Sequence, residues 1–525
     1  MLGRIVQNSI NVDFDKGWNF FRPGHLEDGI ITRAASGTLR SLSFSELDTI
    51  RIGQRLQNPT VFEQIRKMWE NARGGKTSLT LVRDRNLGGY WGFERQSLKN
   101  NDGTDGTFTR TNVNDSAWYL DRSTGYYAAV DTADTARFPE GKYGDGVLIE
   151  GTRTNLNTRP SDFDPATSSW VASNITVSAD ATETKDPAGT NIADKLTASA
   201  INGTLTYTTG TAVGTDDGVF SLFMKSPSGN VNVTIKIRDS VDGDLGSNAV
   251  TVTPTWQRFQ VAHESVGATT ANWEMRILIP GNGDIVYAWC GQLEVGTNVL
   301  FASNPIGVTS TSSVTRNAEK LTYSTTNIVN LEKGTIGMWI KFQYGIGDGE
   351  GCNIFQIGDG TNQSILLQWL SNDAFLLRVV DSLGTNHDAS TTLTTQIQAN
   401  TWHHILATWD VTDATTNTTA AYIDAVKILG GLSPTGAFIP KNLNTTIALG
   451  CAFDSTNQIY GIIDEVFVRK NVLNATEINK IYNQGRALAE MRNRWTAIWT
   501  DVNFTEQIAN GVNRYNFEAE FLEVV

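Results

Sequence analysis

Few residues in this chain have the types and spacing that chemistry needs. His403 and His404 are adjacent in TWHHILATWD. Neighbours on a strand face opposite ways, so they cannot share one ion, and the expected role is structural. A glycoside hydrolase needs two carboxyls about 5–5.5 Å apart for retention or about 6.5–9.5 Å for inversion, which on a strand means acids at i and i+2. Asp464 and Glu465 are adjacent instead. Glu518 and Glu520 have the spacing but sit on a terminal strand where a solvated face is expected. No GxSxG nucleophile turn and no Gly-rich phosphate loop is present.

Calcium takes oxygen ligands from turns rich in Asp, Asn and carbonyls. The candidates are Asp348 and Glu350 in GIGDGEGCN, Asp454 in CAFDSTNQ, and Asp464. VDGDLG at 241–246 is a weaker one. A sugar stacks its C–H face on an aromatic ring while polar groups bond its hydroxyls. Trp170, Trp273 and Trp369 are the glycan-binding candidates, because each stands near polar or loop residues. Trp256, Trp289, Trp339, Trp402 and Trp409 lie inside the strongest strand patterns and are expected in cores.

These residues need a β scaffold. VFSLFMK, VNVTIKIRD, QRFQVAH, EMRILI, GMWIKF, ILLQWL, HHILATWD, TAAYID and IIDEVFV are short strand patterns separated by Gly, Asn, Asp and Ser turns. Such a run predicts antiparallel sandwiches, and its length calls for two, with a Thr/Ser-rich division at 307–319. Helical spacing appears at 60–73, with Thr60 and Glu63 as a capping box, and at VLNATEINKIYNQG, where Asn474 and Glu477 repeat that pattern. The tail returns to strands. Tyr515, Phe517, Ala519 and Phe521 share one face, and a two-strand tail alone is marginal, so it needs a sheet to join.

The chain has 525 residues and a formal net charge of −13, which disfavours nucleic acid and anionic membranes as partners but not a neutral glycan. No run is long enough to span a membrane, and the start MLGRIVQNSINVDFD lacks a signal-peptide apolar stretch, so synthesis in the cytoplasm is expected. Cys290, Cys352 and Cys451 show no metal spacing and are expected as unpaired small hydrophobes.

Three stretches carry resemblances. Thr107–Arg110 (TFTR), Tyr119–Asp121, Ala136–Phe138 and Gly146–Leu156 (GVLIEGTRTNL) resemble a segment of bacteriophage tail and tail-fibre proteins. In those proteins it precedes a carbohydrate-binding-like β-sandwich, marked here by TWQRFQV and VYAWCGQLEVGT. Residues 318–485 resemble a laminin-G-like, concanavalin-type jelly roll, through GTIGMWIKF, NTWHHILATWD, AAYIDAVKI, IALG and GIIDEVFVRKNVLNATEINKIY. That family sometimes holds structural calcium, and it binds sugars, proteins or nothing. The helix ending in ARGGK and the strand from Tyr515 to Val524 resemble phage distal-tail proteins, whose β-barrel forms a ring around the tail tube.

The expected organisation is therefore mainly β. Residues 1–90 and 488–525 form one discontinuous tail-docking base with a packed helix. Residues 91–316 hold the carbohydrate-binding-like sandwich with its connector, and 317–487 the jelly roll. The resemblances imply a non-enzymatic virion tail protein, a homo-oligomeric and even hexameric ring, other tail proteins as partners, and a host-surface glycan. The alternatives are a structural protein that binds nothing, and a secreted adhesin or glycan hydrolase.

Overall fold

A computed structural model describes residues 105–484 apart from short segments at 112–116, 131, 242, 266–268, 327, 413–418, 431–438 and 442–444. It also describes residues 89–93 and 96–99, and the backbone of the strands lying within 3–91 and 494–523. The helix expected at 60–73 lies outside the described residues. The chain divides into two compact units. One comprises Met1–Trp91, Lys99–Thr104 and Phe467–Val525; the other comprises Gly92–Leu98 and Asp105–Val466.

In the first unit a seven-stranded sheet runs in the order Ile10–Phe14, Gly3–Gln7, Leu79–Val82, Arg494–Ala509, Val512–Glu523, Leu47–Leu56, Phe20–Leu26. The two terminal strands thus pair with strands from the start of the chain. Val512–Glu523 lies antiparallel to Leu47–Leu56, with Phe521 opposite Ile50. Leu79–Val82 lies antiparallel to Arg494–Ala509, and Val82 is the register partner of Arg494. The chain therefore leaves and returns on neighbouring strands, directly opposite one another. The helix Ala475–Gln484 also belongs to this unit. It starts on a reciprocal capping box: Glu477 N–H donates to Asn474 Oδ1 at 3.0 Å, and Asn474 N–H to Glu477 Oε2 at 2.9 Å.

The second unit is built of antiparallel sheets, as the alternating strand patterns require. Its first sandwich has two five-stranded sheets. One is ordered Trp170–Ser173, Gly203–Gly214, Thr269–Ile279, Val231–Asp239, Gly243–Val252; the other Ile175–Ser178, Asp194–Ala198, Ile285–Gly296, Asp217–Lys225, Gln257–His263. Inward residues alternate along each strand. Val231, Val233, Ile235 and Ile237 from one sheet meet Phe220, Leu222, Met224 and Val286 from the other in a continuous apolar core.

The second sandwich also has two sheets. One runs Asn386–Thr392, Ala374–Val380, Gln363–Trp369, Cys352–Gly358, Thr446–Leu449, Lys320–Ser324, Thr107–Thr109. The other runs Val147–Ile149, Gly461–Arg469, Lys333–Phe342, Trp402–Asp410, Ala420–Ile423, Val426–Gly430. Two of these strands, Thr107–Thr109 and Val147–Ile149, come from the connector that the sequence reading grouped with the first sandwich. Arg153–Asn155 then pairs with Val314–Arg316, so the chain enters and leaves the first sandwich side by side. The first sandwich is thus nested inside the second.

Candidate functional site

The residues that mark the connector segment converge on one buried joint. Arg110 comes from TFTR, Arg137 from ARF, and Glu150 and Arg153 from IEGTRTN. Arg316 and Glu319 arrive on the far side of the first sandwich. Glu319 accepts Arg110 Nη1 at 2.8 Å, Arg137 Nε at 3.0 Å, Arg137 Nη2 at 2.6 Å and Glu150 N–H at 2.9 Å. Glu150 meets Arg137 at 2.7 Å and Arg316 at 3.1 Å, and accepts the amides of Asn304 and Gln343 at 3.0 Å each. All five charged side chains of this inner group are fully buried.

Arg153, Glu294 and Glu350 add one positive and two negative charges to the three arginines and two glutamates of this group. Arg153 donates to Glu350 of the jelly roll at 2.6 Å and lies 3.8 Å from Glu294 of the first sandwich. Its guanidinium lies against Phe301 and Tyr460, 5.1 and 4.7 Å from the ring centres, where the two rings meet edge to face. Glu294 also accepts Ser303 N–H and Oγ at 3.0 and 2.8 Å. Four arginines thus face four glutamates. Burial works against ionising Glu150, but Arg316 and Arg137 outweigh it and hold the carboxyl down at about 2. For Glu350 burial wins over Arg153 and the carboxyl is raised. Each buried charge has an opposite one beside it, and breaking a pair would leave a buried ion uncompensated, which disfavours other arrangements of the two sandwiches. In sequence these residues only mark the connector resemblance, because the ionic network joins positions as far apart as Arg137 and Glu319.

The glycan candidates are placed differently from expectation. Trp170 and Trp273 lie in the core of the first sandwich, 2% and 0% exposed. Trp170 packs on Phe163 and Tyr207, and Trp273 on His263. Trp369 is fully buried and stacked on Tyr344, with ring centres 5.0 Å apart. Strand alternation explains all three: Trp273, Met275, Ile277 and Ile279 point inward together, as do Ile365, Leu367 and Trp369. No sugar reaches these rings as they stand. Of the tryptophans assigned to cores, Trp289, Trp339 and Trp409 are buried, whereas Trp256 and Trp402 are only half-buried.

The calcium candidates do not converge. Asp348 accepts Gly345 N–H, Glu350 is taken by Arg153, Asp454 by Thr456, and Asp464 by the amides of Tyr143 and Glu465. Among the described residues no group of three or more His, Cys, Asp or Glu is placed to hold a metal. His403 accepts Gln398 N–H on Nε2 and faces Asp424 through Nδ1 at 2.8 Å, which ties two loops to the strand. His404 is fully buried beside Trp339, and burial lowers it to about 4. The three cysteines are buried and unbridged.

One surface does carry aromatic rings within reach of solvent. On the outer face of one sheet of the first sandwich, Phe223, Trp289, Cys290 and Trp118 form a small cluster, rimmed by the partly buried Tyr127, Ala188, Ile192 and Trp256. The hairpin Trp118–Leu120 with Tyr127–Ala129, supplied by the connector, covers it. Beside this hairpin, Tyr126 is exposed.

Residues 310–479 match the model of the concanavalin A-like lectin/glucanases superfamily. This module is a concanavalin A-like jelly roll. Among solved structures, the chain is similar to the receptor-binding domain of botulinum neurotoxin type G, at 12% identity and a TM-score of 0.25. It is similar to a botulinum neurotoxin type C structure described as interacting with two ganglioside molecules, at 13% and 0.26. It is also similar to the binding domain of botulinum neurotoxin DC in complex with SialylT, at 15% and 0.25. Each similarity covers 32% of this chain and 40% of the other. No curated protein matches the chain.

Proposed function

We propose that this chain is a virion protein of a bacteriophage tail tip. Its two ends form a base that docks among other tail proteins in a ring of copies, and the two sandwiches are displayed from it for attachment to host-surface glycans. The observation that carries the reading is the insertion: residues 83–493 depart from and return to register partners, Val82 and Arg494. Domain insertion is favoured where the two ends lie close together. The connector resemblance and the lectin-type jelly roll support display of binding modules. No reaction is proposed. In a ring, many weak sites would act together, and avidity would exceed single-site affinity by about 10²–10⁴.

A purely structural role is the competing reading, and the buried joint favours it to the extent that the connector motif is spent on architecture. Binding of the full chain to bacterial cells and to an array of bacterial surface polysaccharides separates the two. Attachment is expected to be saturable and carried by the inserted modules. Replacing 95–485 with a short linker should leave a remnant that still assembles but no longer attaches. A remnant that fails to assemble would overturn the base assignment, and a full chain that attaches to nothing would leave the structural reading.

A further inference from the structure

Among the described residues, Tyr126 is the aromatic with an exposed ring, 45% open. Its other side rests on Gly189, where an added Cβ would meet ring atoms at 3.1 Å. Gly189 has φ +76°, so glycine both permits the turn and leaves room for the ring. That turn is tightly held. Asp186 accepts the amides of Ala188, Thr190 and Ile192 at 2.8, 3.1 and 2.9 Å and the Thr190 hydroxyl at 2.6 Å. Tyr127 N–H donates to Pro187 O at 2.8 Å, fixing the hairpin to the same loop. At the loop's other end Trp256 Nε1 donates to Lys185 O at 2.7 Å.

Two aromatic rings are therefore anchored to one rigid loop, four residues apart in their anchor points. Gly189 N–H donates to Asp186 O at 2.9 Å, which folds this stretch into a turn and keeps the anchor points within about 11 Å, the length of about two pyranose units. Hydrogen-bonding groups stand beside the first ring. The turn before Tyr126 presents Asp121, Ser123 and Thr124, and Thr190 is exposed on the loop. Lys185 on the loop and Arg122 in the turn are exposed cations, and Arg122 lies 3.6 Å from Asp145 as well as beside Asp121, so neither sign of charge dominates the site. The chain's net charge of −13 disfavours polyanions.

We infer that the loop Lys185–Gly189, with Tyr126 at one end and Trp256 at the other, is a glycan subsite for neutral hexopyranose units stacked on the two rings. This rests on the glycan-attachment reading above and adds to it a place and a ligand class. Preorganised rings lose little freedom on binding, which is how a shallow site gains affinity.

The test uses the full chain, an array of bacterial surface polysaccharides, and titration with soluble neutral oligosaccharides prepared from the best-bound polymer. Tyr126→Ala and Trp256→Ala should each weaken binding about tenfold or more, and the double variant should abolish it. Tyr126→Phe and Trp256→Tyr keep a ring and should stay near wild type, which separates stacking from misfolding. Unfolding of Tyr126→Ala should match wild type, because the ring is exposed. If wild type binds and both alanine variants bind equally well, the subsite is wrong and the glycan reading stands. If only polyanionic polymers bind, the ligand class is wrong. If wild type binds neither array nor cells, the attachment reading falls and the subsite with it.

Discussion

The core of the first sandwich and the joint beside it fill two buried interiors with opposite materials. The core takes aliphatic and aromatic side chains from ten strands in one stretch of chain, and another apolar residue of similar volume would nearly serve at most positions. The joint takes four arginines and four glutamates from separate stretches and leaves no charge without an opposite. Apolar burial is non-directional and tolerates small shifts. Ion pairs buried at 2.6–3.1 Å do not, because each displaced partner strands a charge. A core of the first kind gives stability. A joint of the second kind gives one relative placement of two modules, which a bare apolar contact would specify less sharply.

The largest expected effect comes from removing a hub of the joint. Glu319→Gln leaves Arg110 and Arg137 short of a counter-charge in a fully buried site, and should cost about 3–5 kcal/mol in denaturant unfolding of the full chain. A cost below about 1 kcal/mol, the range of an exposed pair, would show that water reaches the joint and would break the contrast.

Next in size is a dependence on acid that the apolar core cannot share. Glu150 is held at about 2 in the fold against 4.5 for the unperturbed group. Because the folded value is the lower one, its stabilisation is fully present above pH 4.5 and is lost as pH falls towards 2. The shift corresponds to about 3 kcal/mol. The stability gap between wild type and Glu150→Gln should therefore narrow steadily below pH 4.5. A gap that stays constant from pH 7 to pH 3 would mean that the arginines do not act on this carboxyl.

The same contrast explains what the sequence revealed. The strands of both sandwiches were legible from period-two alternation, and the jelly roll from its strand spacing. The cap of the helix Ala475–Gln484 was legible from Asn474 and Glu477. The joint was not, because a charged residue on a strand is ordinarily read as solvent-facing. Only pairing across more than a hundred residues, as between Arg137 and Glu319, makes it an interior group. Trp170, Trp273 and Trp369 were misplaced by weighing polar neighbours in sequence. Those neighbours occupy the other face of the strand, and alternation applied to Trp273, Met275, Ile277 and Ile279 places the indole inside. Tyr126 is not distinguished in sequence, because Gly189, on which its ring rests, lies about sixty residues away.

The smallest effect sharpens the contrast from the apolar side. Ile235 is fully buried in the first sandwich, among aliphatic neighbours and without a charged partner. Ile235→Val removes one methyl group and should cost about 0.5–1.5 kcal/mol, the transfer of that group plus a small cavity. No ionisable group gains or loses a partner, so this cost should be the same at pH 7 and at pH 3. Measured beside Glu150→Gln in one pH series, it serves as the internal reference: one difference flat, the other shrinking with acid. If the Ile235→Val difference also shrank, acid would be loosening the first sandwich as a whole. The sensitivity of the joint would then belong to the module rather than to its ions.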